Sequence, residues 1–330
     1  MAAATMYVTV AGAGDKSGDS WANAMGYAEW ETDLEGASEA GDIYYVAGGT
    51  YNLTSNLTFS GRHGTSLAPI CIVGVDSGTT NEPPVYSDWA MGDNRPLLVG
   101  GGSQCLYTGH YSKVFNLRGT ATGTYAFLNQ NNCTFYNLKS TGSATYALYI
   151  GQYSNVISCE GASSAGSGLY FQSTNSAAIF SYFHDCSVSG ILYNNSANNV
   201  LFCILDTCVT AGIDVAANRL GLLVLNNTIY NCGTGIIGKS TYSSQFINNI
   251  INDCTVGANW DTAELSNLWL NNNLEGNGTK LINVPTALPH SDWLETTADP
   301  AFTDDSGGNF SLASGSACLD AGLAMILGVG

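Results

Sequence analysis

Short apolar runs recur along this chain at a nearly constant spacing, separated by glycine and small polar residues. Residues 221–243 show the pattern: the run Leu222–Leu225 is followed by an Asn pair, then by Thr228–Tyr230, then by Gly235–Ile237. Such runs are too short for helices, and a unit of about 22 residues is too short for a strand, a helix and their turns. The pattern therefore predicts three short strands in each unit.

Two signatures repeat together with these runs. Cysteines separated by 22, 24 and 22 residues occupy four successive units, at Cys186, Cys208, Cys232 and Cys254. A glycine followed by a small or apolar residue recurs at a similar interval, at Gly168, Gly190, Gly212, Gly235 and Gly257. A period of this length is typical of stacked units that bury their apolar sides only against their neighbours. We interpret the chain as all-β: a right-handed parallel β-helix with three short strands and about 22 residues per coil.

Columns of like residues should run along the inside of this solenoid. The third residue before each recurrent cysteine is expected to point inward, at Phe183, Leu205, Ile229 and Ile251. The seventh residue before each cysteine is expected to do the same, at Ile179, Leu201, Leu225 and Ile247. Between the two columns lies a position that resembles a turn, occupied by Ser181, Cys203, Asn227 and Asn249. Stacked asparagines there can hydrogen-bond to the backbone of the next coil. These columns predict a dry, continuous interior.

All ten cysteines are expected to be free thiols. The recurrent ones should face inward as small hydrophobes, and adjacent coils hold Cβ atoms farther apart than the roughly 3.5–4.5 Å that a disulfide needs. Closely spaced cysteine pairs of the zinc-binding type are missing from the sequence, so we expect no metal. The N-terminus lacks a signal-peptide pattern, which leads us to expect synthesis in a reducing cytoplasm.

Both ends of a parallel β-helix need a cover, because an open coil is an unpaired sheet edge. The sequence predicts three regions: an N-terminal strand and capping helix in 1–44, the β-helix in 45–275, and an irregular C-terminal capping segment in 276–330. We expect Ser20 to be the N-cap of the helix, which should end near Gly41. The acidic stretch 32–42 should face solvent. The apolar tail 324–330 should dock on this chain or on a neighbour.

Composition narrows the range of partners. The chain has 330 residues, of which 45% are hydrophobic and 11% charged, a balance that excludes disorder. Its net charge is −17, and its nine Lys and Arg residues are scattered. Because so few cations cannot neutralise a phosphate backbone, we expect no nucleic-acid binding and no attraction to anionic membranes. No stretch of about 20 apolar residues is present, so the sequence predicts no membrane span.

Two further stretches resemble a known family. Residues 41–51, Gly-Asp-Ile-Tyr-Tyr-Val-Ala-Gly-Gly-Thr-Tyr, are similar to the opening of right-handed parallel β-helix proteins of the pectin-lyase-like superfamily. Residues 299–322 are similar to the closing segment common in the same group. Together with the coils, the resemblance covers nearly the whole chain and implies the fold. Because this superfamily includes polysaccharide lyases, glycoside hydrolases, epimerases, adhesins, and phage tail and capsid-surface proteins, fold alone does not select a function.

Catalysis in this superfamily implies clustered carboxylates or a Ca²⁺ site beside an Arg or Lys base. In the predicted coils Asp206 and Asp214 fall on different strands, and the adjacent pair Asp304-Asp305 is typical of a turn. The pair His184-Asp185 is expected to form a surface hydrogen bond rather than to act as a base. We therefore assign no catalytic residue, no metal and no cofactor; if the chain is an enzyme, Asp214 is the candidate.

One predicted outward row carries large apolar side chains. On the strand after the recurrent glycine, the outward residues are expected to be Phe127, Tyr149, Tyr170, Leu192, Asp214 and Ile237. An apolar row on a wet surface usually meets a partner. Three interpretations stay open: cover by a loop, a subunit interface in a homo-oligomer, and a platform that stacks sugar rings.

The leading hypothesis is a non-enzymatic structural protein of a phage or similar virus, made in the host cytoplasm and located on the virion surface, in the capsid or the tail. A stiff solenoid, an acidic surface and the absence of a predicted catalytic cluster favour it. Its expected partners are other virion proteins, further copies of the chain, and a glycan; the resemblance alone implies a homotrimer. One alternative is a tailspike-type polysaccharide lyase or glycoside hydrolase, in which Tyr149 and Tyr170 stack sugars beside Asp214. The second is a secreted, extracellular adhesin.

Overall fold

The computed structural model is a right-handed parallel β-helix with about 22 residues per coil, which confirms the predicted fold class. It describes residues 3–100, 104–142, 144–215, 219–239, 241–261, 267–283, 295–296 and 298–322. Three parallel sheets of eleven, eleven and ten strands run along the solenoid, and the chain visits sheet I, sheet II and sheet III in that order in each coil. Each strand pairs with its equivalent in the next coil.

The strands are short, as the apolar runs predict. Sheet I consists of Thr5–Val8, Ile43–Ala47, Ile70–Val75, Ser112–Phe115, Thr134–Tyr136, Asn155–Ile157, Ala177–Ile179, Asn199–Leu201, Leu223–Leu225, Gln245–Ile247 and Leu268–Leu270. Sheet II consists of Thr50–Leu53, Leu97–Gly100, Arg118–Ala121, Lys139–Gly142, Glu160–Ala162, Tyr182–His184, Ile204–Asp206, Thr228–Tyr230, Ile250–Asn252, Asn272–Asn273 and Glu295–Thr296. Sheet III consists of Leu57–Thr58, Leu106–Tyr107, Tyr125–Leu128, Tyr146–Ile150, Ser167–Phe171, Ser189–Tyr193, Ala211–Val215, Thr234–Gly238, Val256–Trp260 and Thr279–Ile282.

A single residue in the left-handed conformation turns the chain from sheet I into sheet II. The φ angles of Phe180, Phe202, Asn226 and Asn248 at this corner lie between 51° and 56°. Non-glycine residues rarely adopt this conformation, and asparagine tolerates it best. The corner residue points outward, and the residue after it faces the interior.

An asparagine ladder occupies that inward position, as the sequence predicts. The Oδ1 atom of Asn227 accepts a hydrogen bond from the Cys203 amide at 2.8 Å, and that of Asn249 accepts one from the Asn227 amide at 3.1 Å. Asn272 continues the ladder by accepting from the Asn249 amide at 3.0 Å. Each Nδ2 group also donates to a carbonyl of the coil below, such as that of Val200 for Asn227, at 3.0 Å. The buried turn therefore leaves its amides satisfied.

One of the two predicted inward columns is correct and the other is displaced by one residue. The third residue before each recurrent cysteine is fully buried, at Phe183, Leu205, Ile229 and Ile251. The fully buried residue of sheet I is the eighth before the cysteine, at Ala178, Val200, Val224 and Phe246, rather than the seventh. The predicted column is wrong because the left-handed corner follows directly on the seventh residue. The middle residue of each three-residue strand then points inward and its neighbours point outward.

The recurrent glycine marks a close approach of sheet III to sheet II. A Cβ atom at Gly212 would lie 2.4 Å from Cγ2 of Ile229, and one at Gly235 would lie 2.3 Å from Cγ2 of Ile251. Neither distance leaves room for a methyl group. The glycine signature of the repeat therefore reflects core packing.

All ten cysteines are free, which confirms the prediction. Eight of them are buried, including the recurrent four, while Cys71 and Cys318 are partly exposed. Burial raises the pKa of Cys159 and of Cys203 to about 12. The thiols of Cys159 and Cys203 therefore stay protonated, and the buried cysteines pack as small apolar side chains.

The N-terminal helix is shorter than predicted. Ser20 precedes only a 3₁₀ turn, Trp21–Asn23, and makes no capping hydrogen bond. The α-helix spans Tyr27–Gly36, and the Glu29 side chain accepts a hydrogen bond from its N-cap amide. It starts late because residues 24–25 are paired with the first strand, where the Met25 amide donates to the Tyr7 carbonyl at 2.9 Å.

The helix buries Trp30 and Leu34, and the Trp30 ring meets Tyr51 edge-on at 6.0 Å. Two further 3₁₀ turns are Tyr86–Asp88 and Gly92–Asn94. Asp42 of the acidic stretch is buried rather than solvated, because it accepts hydrogen bonds from the amides of Ala4 and Glu39. No helix in the described residues is long and apolar enough to cross a membrane.

The C-terminal part folds back over sheet II. The β-helix continues past residue 275, since Thr279–Ile282 adds a strand to sheet III. The antiparallel hairpin Phe302–Asp304 and Asn309–Leu312 packs its two phenylalanines on Tyr230, with ring centroids at 6.1 and 5.2 Å. The predicted docking of the tail 324–330 lies outside the described residues.

Candidate functional site

The outward row of sheet III is the row that the sequence singled out, with one correction. Phe127 points into the core and is fully buried, in register with Leu106 and Leu148. Leu128 takes its place on the outer surface, in register with Tyr149. The observed outward row is Tyr107, Leu128, Tyr149, Tyr170, Leu192, Asp214 and Ile237.

Four tyrosines on three successive coils form a compact cluster on this surface. Tyr146 and Tyr170 stack at 4.5 Å with an interplanar angle of 29°, and Tyr125 and Tyr146 stack at 5.9 Å and 13°. Tyr149 closes the group, with its ring 4.6 Å from Tyr125 and 5.0 Å from Tyr170. We call Tyr125, Tyr146, Tyr149 and Tyr170 the tyrosine cluster. The sequence predicted two members; it missed Tyr125 and Tyr146, which precede each outward residue by three positions.

The tyrosines of the cluster are half-buried against one another. Burial raises the pKa of Tyr149, and the charges of Tyr125 and Tyr170 would raise it further. Burial also raises the pKa of Tyr146 and of Tyr170. The cluster therefore presents neutral aromatic rings together with hydroxyl groups that can donate hydrogen bonds.

A groove of about 370 Å³ adjoins the tyrosine cluster, and Tyr125 and Tyr149 form part of its lining. We call it the amide groove, because amide side chains line it beside tyrosines; its polar lining includes Asn129, Gln130, Asn131 and Gln172. Asn129 Oδ1 accepts from the Gly151 amide at 2.8 Å, and Gln130 Nε2 donates to the Ser60 carbonyl at 3.0 Å.

The other polar atom of each of these two side-chain amides has no hydrogen-bond partner in the described part of the chain. These atoms are Asn129 Nδ2 and Gln130 Oε1, and both are buried. A buried polar atom without a partner is costly, and native structures contain few of them. Both residues line the amide groove, and their unpartnered atoms are a donor and an acceptor of the kinds that hydroxyl groups can satisfy.

Asp214 lies farther along the same row. Its side chain is 12% exposed and its Oδ1 atom is 3.6 Å from the Lys239 ammonium. Leu192 and Ile237 are its register neighbours in the coils below and above. Burial raises the pKa of Asp214 even though Lys239 lowers it. The outward prediction for Asp214 is correct, but the residue is a mostly covered ion pair rather than an open carboxylate.

Polar groups also flank the C-terminal side of the tyrosine cluster. Arg219 donates a hydrogen bond from Nη2 to Asn194 Oδ1 at 3.1 Å. Both residues influence the Tyr170 hydroxyl, whose pKa they lower against the larger effect of burial. Hydrogen-bonding side chains therefore lie next to the tyrosine cluster outside the amide groove as well.

Sheet II carries a charged cluster that the sequence revealed only in part. The His184–Asp185 hydrogen bond is present at 2.8 Å, and the other ring nitrogen of His184 meets Glu160 Oε1 at 3.2 Å. Lys139 reaches the same Glu160 oxygen at 3.0 Å. We call Lys139, Glu160, His184 and Asp185 the charged cluster. Glu160 precedes His184 by 24 residues, one coil plus two, and only the repeat spacing could have indicated the contact.

Hydrogen bonds set the protonation states in the charged cluster. The bond with His184, followed by that with Lys139, lowers the pKa of Glu160 to about 2 against the effect of burial. Burial alone would lower the pKa of His184, but its bonds to Glu160 and Asp185 raise it overall. Among the described residues, no group of three or more His, Cys, Asp and Glu side chains is placed to hold a metal ion.

Comparison with known proteins agrees with this architecture. Residues 126–284 match the family model described as the right handed beta helix region. The fold of the chain is that of a right-handed parallel β-helix. Its fold resembles that of pectate lyase Pel9A, with a TM-score of 0.64 at 15% identity over 98% of this chain and 92% of the other. No curated protein sequence matches the chain.

Two further solved structures have the same fold at low identity. The GH136 lacto-N-biosidase from Eubacterium ramulus has a TM-score of 0.55 at 11% identity, over 89% of this chain and 67% of the other. The ORF18 protein of Geobacillus virus E2 has a TM-score of 0.55 at 13% identity, over 85% of this chain and 59% of the other. At these identities the likeness concerns the fold alone.

Proposed function

We propose that this protein binds a neutral polysaccharide along the outer surface of sheet III, with the tyrosine cluster as its platform. The observation that carries the proposal is the cluster itself, four neutral aromatic rings on three successive coils of a stiff scaffold. Tyrosine combines a large apolar ring with a hydroxyl group, so the outward parts of these packed rings can contact a sugar while their hydroxyl groups hydrogen-bond to it. Coils about 4.8 Å apart place successive rings at a spacing comparable to one pyranose unit of an extended chain.

The polar groups around the platform favour a neutral glycan over an acidic one. The amide groove offers a free donor on Asn129 and a free acceptor on Gln130, which match a hydroxyl group. Of the nearby cations, Lys239 is paired with Asp214, and Arg219 donates a hydrogen bond to Asn194. The whole chain carries a net charge of −17, which repels polyanions at low salt.

Affinity electrophoresis through gels that contain neutral or acidic polysaccharides tests this function. We expect retardation by at least one neutral polysaccharide, and a dissociation constant for Tyr170→Ala about tenfold higher than for wild type, since a stacked ring is lost. Tyr153→Ala is the matched control, because Tyr153 is 53% exposed at a corner outside the cluster. Equal retardation of both variants, or retardation by polyanions alone, would contradict the proposal.

We further propose that the binding surface belongs to a virion, on the capsid or the tail of a phage. The acidic, stiff solenoid supports this role, and the ORF18 protein of Geobacillus virus E2 shows that a virus encodes a similar fold. Proteomics of purified particles should find this chain at high copy number. Its consistent absence from particles whose genome encodes it would remove this part of the proposal.

A hydrolase or lyase acting on the bound glycan is the second candidate. The observation in its favour is Asp214, a carboxyl group whose pKa burial raises on the same row as the tyrosines. Release of reducing ends or of unsaturated sugars by wild type but not by Asp214→Asn would support it. Binding without any product, under conditions in which the glycan is retained, would favour a purely binding role.

A further inference from the structure

A second apolar row lies on the outer surface of sheet I, on another side of the solenoid from the tyrosine cluster. Four of its residues are half-buried and in register on successive coils, namely Tyr136, Ile157, Ile179 and Leu201. We call these four residues the apolar window. At one end of the window the chain covers the row itself, since Trp89 packs on Phe115 at 5.3 Å. At the other end Leu225 and Ile247 are buried. Between these ends the four window residues are half-buried, as is Leu270 one coil beyond Ile247.

Two exposed phenylalanines border the apolar window. Phe180 and Phe202 follow Ile179 and Leu201 directly, are 61% and 41% exposed, and stack on each other at 5.1 Å. Both stand at the corner with φ angles of 51° and 56°, where the neighbouring coils carry Ser158 and Asn226. A bulky side chain in this conformation is a local cost without a gain in core packing. An exposed aromatic pair at such a position points to a contact made outside the chain.

The charge on this surface indicates which partner it suits. The other outward positions of the same strands are Thr134, Asn155, Ala177 and Asn199, so the described strands of the window carry no charged residue. The chain as a whole has a net charge of −17. A basic partner would be drawn to the acidic surfaces, whereas two copies of this chain repel each other least across the uncharged one.

We propose that the apolar window and the Phe180–Phe202 pair are the surface through which copies of this chain associate. Each coil contributes one outward side chain to the row, and successive side chains are about 4.8 Å apart. A second β-helix carries a row with the same spacing, so the side chains of one copy can fit between those of the other. With four coils the window is about 20 Å long, which places the contact at the small end for specific interfaces. Association is therefore expected at micromolar concentration.

Analytical ultracentrifugation over about 1–100 μM protein tests this surface, and it does not depend on glycan binding. Wild type should associate, and more strongly at about 150 mM than at 10 mM salt, because salt screens repulsion between acidic rods. The double variant Phe180→Asn/Phe202→Asn should weaken association at least tenfold while keeping or raising Tm, since asparagine suits the left-handed corner.

The matched control is Val209→Asn, which removes a 71% exposed apolar side chain at the corner between sheets II and III. It should associate like wild type. A wild type that stays monomeric throughout, a double variant that associates unchanged, or a control that dissociates equally would each overturn the proposal.

Discussion

At the residue scale, small and polar residues define the solenoid as much as the apolar ones do. The asparagines of the ladder satisfy buried amides at the turn, and the recurrent glycines allow sheet III to approach sheet II. Both could be located from their spacing in the sequence. The corner before the ladder could not, because Phe180 and Phe202 stand where other coils have asparagine and hide the left-handed residue. This is why the predicted inward column on sheet I is displaced by one residue.

Replacing Gly212 by alanine tests the packing role of the glycine column. The added Cβ would lie 2.4 Å from Ile229 Cγ2 and 2.9 Å from the Gly235 carbonyl oxygen, so something must shift. We expect the free energy of unfolding to fall by about 1–3 kcal/mol, as for other overpacked cores. Urea unfolding followed by circular dichroism measures it.

Gly221→Ala is a useful contrast, since no atom lies within 4 Å of a Cβ there although its φ is 66°. It should cost only the strain of the left-handed backbone, about 1 kcal/mol. In Gly212→Ala/Ile229→Ala the clash is relieved, so the double variant should lose less than the sum of the two single variants. Simple additivity would argue against the close approach as the reason for the glycine.

At the element scale, the coil length decides which side chains face outward. Leu128, Tyr149 and Tyr170 are 21 residues apart, whereas Tyr170 and Leu192 are 22 apart. Counting back by 22 from Tyr149 gives Phe127, and a slip of one residue moves a side chain to the opposite face of a strand. The outward row was therefore predicted correctly from Tyr149 onward and wrongly at the step before it, where Leu128 takes the place of Phe127. The amide groove was not predictable, because it joins side chains from several coils.

The charged cluster on sheet II makes stability depend on pH. Glu160, with a pKa of about 2, contributes stability above its ordinary value of 4.5 and loses it as the pH falls. His184, whose pKa is raised, contributes below its ordinary value of 6.5 and loses that stability as the pH rises through its folded pKa. The cluster therefore stabilises the fold most between these two ordinary values.

The variant Glu160→Gln should lower stability by about 1–2 kcal/mol near pH 5.5, discounted for partial exposure. The difference in the free energy of unfolding between variant and wild type should shrink near pH 3, where Glu160 gains a proton on unfolding. It should also shrink in part near pH 9, where His184 is neutral but Lys139 still pairs with Glu160. Glu275→Gln breaks the more exposed pair with Lys280 and serves as the control. A difference that does not vary with pH would contradict the assigned protonation states.

At the scale of the whole molecule, one dry interior runs the length of the solenoid. Eight of the ten thiols are buried, whereas Cys71 and Cys318 are partly exposed. A water-soluble thiol reagent should label at most these two quickly in the native protein, and all ten after denaturation. Because the thiolate is the reactive form, the raised pKa of buried thiols such as Cys159 and Cys203 slows their reaction further. Rapid native labelling of most thiols would contradict the inward cysteine columns.

The two apolar outer surfaces of the molecule suit two different partners. Sheet III offers neutral aromatic rings beside free amide groups, which suits a glycan, and sheet I offers an uncharged aliphatic row, which suits another copy. Fold and repeat could be derived from the sequence because they depend on periodic side chains. The choice between these surfaces needed the register and burial of individual residues.

The most direct measurement is a structure of the protein with a neutral oligosaccharide that it retains in affinity electrophoresis. We expect a sugar ring packed against Tyr146, Tyr149 or Tyr170, and a hydroxyl group within hydrogen-bond distance of Asn129 Nδ2 or Gln130 Oε1. Oligosaccharide bound at another surface, with the tyrosine cluster and the amide groove empty, would contradict the account.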